Sequence, residues 1–172
     1  MRAQDNIKYL MNPKSIALLG CSENNIGGTT LRNLLSHSYP GAIYPVHPKN
    51  ETVFGLKCYK NLMDIPGEVE CCIVALRSTL ILNCTEEMHK KGVKAAVMFA
   101  SGFSETGAEG RELQKQVSAK LNEYAIAACG PNCLGLINVY ENATLFSAAC
   151  DVSKMRGPIG FVAHSGSACI AM

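Results

Sequence analysis

Gly20, Ser22, Gly27 and Gly28 have the types and spacing that most directly offer chemistry, because they crowd between an apolar run and an amphipathic one. Glycine lets backbone approach a ligand closely or take positive φ, and a helix start presents unpaired N–H groups at a positive dipole end. Together these features suit a phosphate or diphosphate. The spacing departs from G-x-G-x-x-G, since Cys21-Ser22 stands where x-Gly would be and the next glycine arrives several residues late. A tight turn without ligand uses the same residues, so both readings stay open at this point.

About twenty positions past such a loop, an NAD-binding fold carries an acid for the ribose hydroxyls. Here the region offers His47 and Lys49, with no acid before Glu51. A cation there favours an extra phosphate on the ribose, which NADP and coenzyme A carry and NAD lacks. A solvated loop lysine is the alternative. The nine cysteines are scattered, many inside apolar runs, which reads as small buried thiols rather than a disulfide framework. Cys129 and Cys133 form the only closely spaced pair besides the adjacent Cys71-Cys72; with no C-x-x-C, no zinc site is expected.

The elements that must position these residues follow from the apolar pattern. Ile16–Leu19 is short and uniformly apolar, as in a strand covered on both faces. Gly27–His37 places Leu31, Leu34 and Leu35 at helical spacing, Tyr39-Pro40-Gly41 breaks it, and Ala42–Val46 is a second strand. Phe54–Pro66 is a connection, with a single turn at Asn61–Met63. Cys71–Leu76 is a third strand, and Ser78–Lys91 a helix capped by Ser78 and ended by Gly92. Ala95–Ala100 is a fourth strand, Ala108–Tyr124 an amphipathic helix with Leu113, Val117 and Leu121 inward, and Ala125–Cys129 a fifth strand. The alternation predicts an α/β fold, a Rossmann-like doubly wound parallel sheet over residues 1–150 with ligand sites beyond the strands' C-terminal ends. Ser147–Pro158 is linker-like. Ile159–Ala163 then reads as a strand and His164-Ser165-Gly166-Ser167 as the opening of a helix, so residues 151–172 are expected to be a linker and the truncated start of a second α/β domain.

With 172 residues, 48% of them hydrophobic, the chain can bury one well-formed core and a little more. A net charge of +2 with no basic run gives no footprint for nucleic acid or a membrane surface. Met1–Asn12 carries charges at Arg2, Asp5 and Lys8 and lacks a signal-peptide core, and no stretch reaches spanning length; the cytoplasm is the expected location.

Six stretches, in order, resemble the N-terminal CoA-binding domain of the NDP-forming acyl-CoA synthetases, a group similar to the succinyl-CoA synthetase α subunit. They are Asn12-Pro13-Lys14-Ser15-Ile16-Ala17, Gly20-Cys21-Ser22, Ile43-Tyr44-Pro45-Val46-His47-Pro48-Lys49, Ser101-Gly102-Phe103-Ser104-Glu105, Gly130-Pro131-Asn132-Cys133-Leu134-Gly135 and Gly160-Phe161-Val162-Ala163-His164-Ser165-Gly166. The resemblance implies that Gly20, Ser22 and Gly27 line the CoA diphosphate, with Lys49 near the phosphoadenosine end. Where the family has Val-Pro after the third strand, this chain has Leu76-Arg77; Arg77 can stack on a base or meet a phosphate. The first loop is also shorter than the family's and lacks its common Pro-Gly.

The resemblance further implies that Asn132 and Cys133 lie where the CoA thiol is presented, with Asn132 orienting the ligand. Cys133 as a nucleophile would need an adjacent base or helix N-terminus, and neither is visible, so no catalytic residue is assigned. Ser165 and Gly166 match a loop at the next helix N-terminus, a site for phosphate or phosphohistidine; His164 is not the phosphorylated histidine. The enzyme so resembled forms an acyl phosphate, which the CoA thiol attacks, coupled to ADP phosphorylation. ATP/ADP and Mg would then belong to other domains or a partner subunit, and homo-oligomerisation is compatible. A CoA-binding module of a protein acetyltransferase and an NADP-dependent oxidoreductase domain remain as alternatives.

Overall fold

The structure is a computed structural model that describes residues 2–153 and 155–166. Two short turns, Ala3–Asn6 and the helix α1 (Lys8–Met11), lead into strand β1 (Ser15–Leu19), helix α2 (Ile26–Ser36) and strand β2 (Ala42–Val46). A small hairpin follows, β3 (Thr52–Val53) and β4 (Leu56–Lys57), then a 3-10 turn at Leu62–Asp64. Next come β5 (Cys71–Val74), α3 (Ile81–Lys91), β6 (Ala95–Met98), α4 (Ala108–Glu123) and β7 (Ala127–Cys129), and last an antiparallel hairpin of β8 (Gly135–Asn138) and β9 (Ala143–Phe146).

The main sheet has five parallel strands in the order β2-β1-β5-β6-β7. This is the expected Rossmann-like doubly wound sheet. Alternate strand residues feed two cores: Ile16, Leu18, Cys71 and Ile73 pack with Leu31 and Leu34 of α2, whereas Ala17, Leu19, Cys72 and Val74 pack with Ile81 and Met88 of α3 and Val117 and Leu121 of α4. Burial on both faces is why these strands are unbroken apolar runs. Pro45 is tolerated because β2 is an edge strand, where its carbonyl accepts from Tyr59 N–H at 2.9 Å.

Four local expectations need correction. Ser78 does not cap α3: a 3-10 turn, Ser78–Leu80, precedes the helix, and the Ser78 hydroxyl lies against Gly102 instead. The fifth strand starts at Ala127, because Ala125 (φ 54) and Ile126 close α4, donating to Asn122 and Leu121 carbonyls. Leu35 points to solvent, since the face of α2 that meets the sheet carries Leu31 and Leu34. Ile159–Ala163 forms no strand among the described residues; with no ladder to join, Ile159 and Val162 stand almost fully exposed. Lys154 of the linker and Ser167, in the helix expected after it, lie outside the described residues.

The β8–β9 hairpin has no counterpart in the sequence reading, and it accounts for the buried polar residues of α2. Thr30 Oγ1 and Asn33 Nδ2 each donate to Phe146 O at 3.0 Å, and Asn33 Nδ2 also reaches Ala148 O at 2.8 Å. His37 Nδ1 lies 3.0 Å from Thr144 Oγ1. The hairpin thereby fastens α2, whose N-terminus faces the glycine loop.

Candidate functional site

All five strands run the same way, so the loops after them share one edge of the sheet. The chain runs outward from β1 to β2, then crosses back to β5 on the other side of β1 and continues outward to β6 and β7. The crevice of a doubly wound sheet opens where the order reverses in this way. Gly20 sits there with φ +80, a conformation that disfavours a side chain, and a Cβ on it would lie 2.6 Å from Ala75 O and 2.8 Å from Leu76 Cδ2. The loop after β1 is thus seated against the loop after β5.

Asn25 organises the turn from β1 into α2. Its Oδ1 accepts from Ser22 N–H at 3.2 Å and from Gly28 N–H at 3.0 Å, and its Nδ2 donates to Gly20 O at 2.7 Å. One amide therefore ties the strand end, the middle of the loop and the first helical turn. A Cβ on Gly28 would overlap the Ser22 carbonyl oxygen, and one on Gly27 would crowd Cys21 Cα at 3.1 Å, so both glycines let the helix close down on the loop. The Ile26 and Gly27 N–H groups remain at the helix's open end, where the helix itself offers no acceptor. This is a cradle of backbone donors of the kind that accepts a phosphate oxygen. Sequence reasoning passed over Asn25; its signal was an N-cap residue three positions before Gly28.

The neighbouring loops close around this turn. Asn50 Nδ2 donates to Cys21 O at 3.5 Å, and Phe54 N–H donates to Glu23 Oε1 at 3.1 Å. Lys49 is exposed beside Asn50, its backbone N–H directed at His47 Nδ1. Arg77 is exposed two residues past Ala75. Gly20, Ser22, Gly27, Lys49 and Arg77 thus lie on the loops that follow the neighbouring strands β1, β2 and β5. Cys21 itself is no nucleophile there: burial, with Cys58 adding to it, pushes its thiol up to about 12.

Asn132 and Cys133 form a second group, at the β6–β7 side. Asn132, with φ +54, donates its N–H to Ala100 O at 2.9 Å and leaves its side chain exposed. Cys133 Sγ stands 3.4 Å from Met98 O, 3.5 Å from Cys129 O and 3.8 Å from Cys129 Sγ. The loop after β6 leans the other way: Gly102 packs against Ser78, its N–H held by Glu105 Oε1 at 2.6 Å, and Phe103 is buried beneath it. It links the second group to the loop after β5. Gly166 meets Leu134 Cδ1, with 3.0 Å left for a Cβ, which brings the Ser165–Gly166 segment beside Cys133's neighbour.

Residues 14–139 match the family described as CoA binding domain. Over 165 residues the chain is 32% identical to the 4-hydroxybutyrate–CoA ligase [ADP-forming] of Nitrosopumilus maritimus, covering 95% of this chain and 24% of that protein. Over 163 residues it is 34% identical to an acetate–CoA ligase [ADP-forming] of Methanocaldococcus jannaschii, covering 94% of this chain and 22% of the relative. The chain thus spans about a quarter of the length of these relatives. Among solved structures, acetyl-coenzyme A synthetase 1 of Ca. Korarchaeum cryptofilum, in complex with phosphate and ADP, superposes with a TM-score of 0.80 at 33% identity, over 85% of this chain and 32% of that one. A family match across both loop groups, on a sheet that presents them along one edge, makes this chain a member of the CoA-binding domain family.

Proposed function

We propose that the chain binds coenzyme A along the C-terminal edge of its sheet, as the CoA-binding part of an ADP-forming acyl-CoA ligase. The observation that carries this reading is the family match from residue 14 to residue 139, which contains the glycine loop, Lys49, Arg77 and the Asn132–Cys133 turn together. The backbone cradle at Ile26–Gly27 suits the diphosphate. Lys49 is assigned to the ribose phosphate, Arg77 to the adenine end, and Asn132 with Cys133 to the neighbourhood of the thiol. These residues supply binding and orientation. Holding the thiol in attack geometry removes much of the entropic barrier to its reaction with an acyl phosphate.

In the whole ligase, acid and nucleotide would give an acyl phosphate, and the CoA sulfur would attack its carbonyl carbon and release phosphate. ATP/ADP and Mg, in this proposal, bind elsewhere than residues 1–150, which form the CoA-binding unit. Residues 151–166 are read as a linker and the entry to a second unit, where Ser165 and Gly166 would meet a phosphate or phosphohistidine. Similarity to the relatives covers 94–95% of the chain and so continues past the end of the family match at residue 139. A cytoplasmic location agrees with the described helices, none of which is long and apolar enough to cross a membrane. The acetyltransferase and NADP readings gain no observation, since these relatives are CoA ligases or synthetases.

Calorimetric titration with CoA and with NADP tests the proposal. CoA is expected to bind the more tightly; tighter binding of NADP would overturn it.

A further inference from the structure

The placement of Cys129 and Cys133 carries a chemistry that CoA binding does not use. Cys129 ends β7 and Cys133 returns through the Gly130–Asn132 turn, so that the two Sγ atoms are 3.8 Å apart and both side chains are partly exposed. A disulfide needs the sulfurs at about 2.05 Å, so the two must draw together from this contact for the bond to form. The other described thiols are placed differently: Cys21, Cys58, Cys71, Cys72 and Cys84 are buried, and Cys150 sits in the segment after β9.

We propose that Cys129 and Cys133 are a redox-active dithiol that a hydroperoxide converts to an intramolecular disulfide. The Cys129 thiolate attacks one oxygen of hydrogen peroxide, the O–O bond breaks, and the leaving hydroxide is protonated to water. Cys129 then carries a sulfenic acid. The Cys133 sulfur attacks the Cys129 sulfur, the S–S bond forms as the S–O bond breaks, and the Cys133 proton leaves with the hydroxide as a second water. Two thiols lose two electrons, and one peroxide is reduced to two waters.

The electrostatics agree with this division of roles. The hydrogen bond between the two sulfurs holds the Cys129 thiol below its ordinary range against the opposing effect of burial, and raises that of Cys133. Burial moves the competing thiols the other way, Cys21 and Cys84 to about 12, which leaves them almost wholly protonated and slow. The modification stands apart from the CoA reading, because it needs only the two sulfurs and the oxidant.

The test treats the 172-residue chain with a slight excess of hydrogen peroxide, alkylates the remaining thiols after denaturation, and maps the products by peptide mass spectrometry. Cys129, Cys133 and Cys150 share one tryptic peptide, because no Lys or Arg lies between Lys120 and Lys154. That peptide should be lighter by two hydrogens with Cys150 alone alkylated, should revert with dithiothreitol, and should form at least about tenfold faster than any loss at Cys21 or Cys84. Cys133→Ser should leave a Cys129 sulfenic acid that dimedone captures, and in Cys129→Ser the Cys133 thiol should stay alkylatable. A wild-type peptide alkylated at all three cysteines, or a bond from either cysteine to Cys150, would overturn the proposal whatever the variants do.

Discussion

At the residue scale the site separates charge from geometry. Lys49 is a charge on an exposed loop, so its assignment stands on what it does to ligands that differ by one phosphate. Removing the ribose phosphate deletes one charge-assisted contact, worth roughly 1.5–3 kcal/mol, about ten- to a hundredfold in affinity. CoA is therefore expected to bind more tightly than dephospho-CoA, and Lys49→Glu should weaken CoA by at least that factor while changing dephospho-CoA far less. Calorimetry on the two proteins with the two ligands completes the cycle; equal losses for both ligands would remove Lys49 from the site. Asn25 acts through geometry. Asn25→Ala orphans Gly28 N–H, Ser22 N–H and Gly20 O together. Loss of the helix cap alone costs about 1–2 kcal/mol, which urea denaturation would read, and the loosened cradle should also bind CoA less tightly. Unchanged stability would mean that the loop holds its shape without the amide.

Among the elements, α2 is held from two sides, and the tail from few points. Leu31 and Leu34 bury against the sheet, while Thr30 and Asn33 are tied to β9, so the helix presents its N-terminus to the glycine loop from a fixed position. Gly157–Ala163 has a different character. Tyr140 donates its hydroxyl proton to Gly157 O at 3.0 Å, yet Ile159 is 89% and Val162 99% exposed. Backbone with few buried contacts opens at little free-energy cost. Hydrogen exchange at Ile159–Ala163 should be faster by orders of magnitude than at Ile16–Leu19, which is buried on both faces. Comparable protection in the two segments would show that the tail pairs with something in solution.

For the whole molecule, the decisive quantity is how much of its relatives' length it spans. The chain spans about a quarter of the length of its ADP-forming relatives, and the proposed function gives the groups on its sheet edge binding and orienting roles only. Residues 1–172 are thus expected to bind CoA and to show no acyl-CoA synthesis from acid, nucleotide triphosphate and CoA. A coupled assay for acyl-CoA formation checks this, and measured turnover by the chain alone would place acyl-activating groups within it.

The sequence by itself determined the parallel sheet, because strands buried on both faces leave unbroken apolar runs such as Ile16–Leu19, and the helices between them carry local spacings such as Leu113, Val117 and Leu121. It also marked the glycine loop, since Gly20, Gly27 and Gly28 answer to local backbone demands. Tertiary structure alone decided which loops meet: the order β2-β1-β5-β6-β7 sets Gly20 against Ala75 and leaves Cys133 on the other side of the edge. It likewise decided that Gly135–Phe146 folds over α2, that Ser78 faces Gly102 rather than capping a helix, and that Ile159–Ala163 finds no ladder. The reason is range. Periodicity and capping report on neighbours within a few residues, whereas Thr30 and Phe146 meet across a separation of 116, and no local pattern encodes a partner that far along the chain.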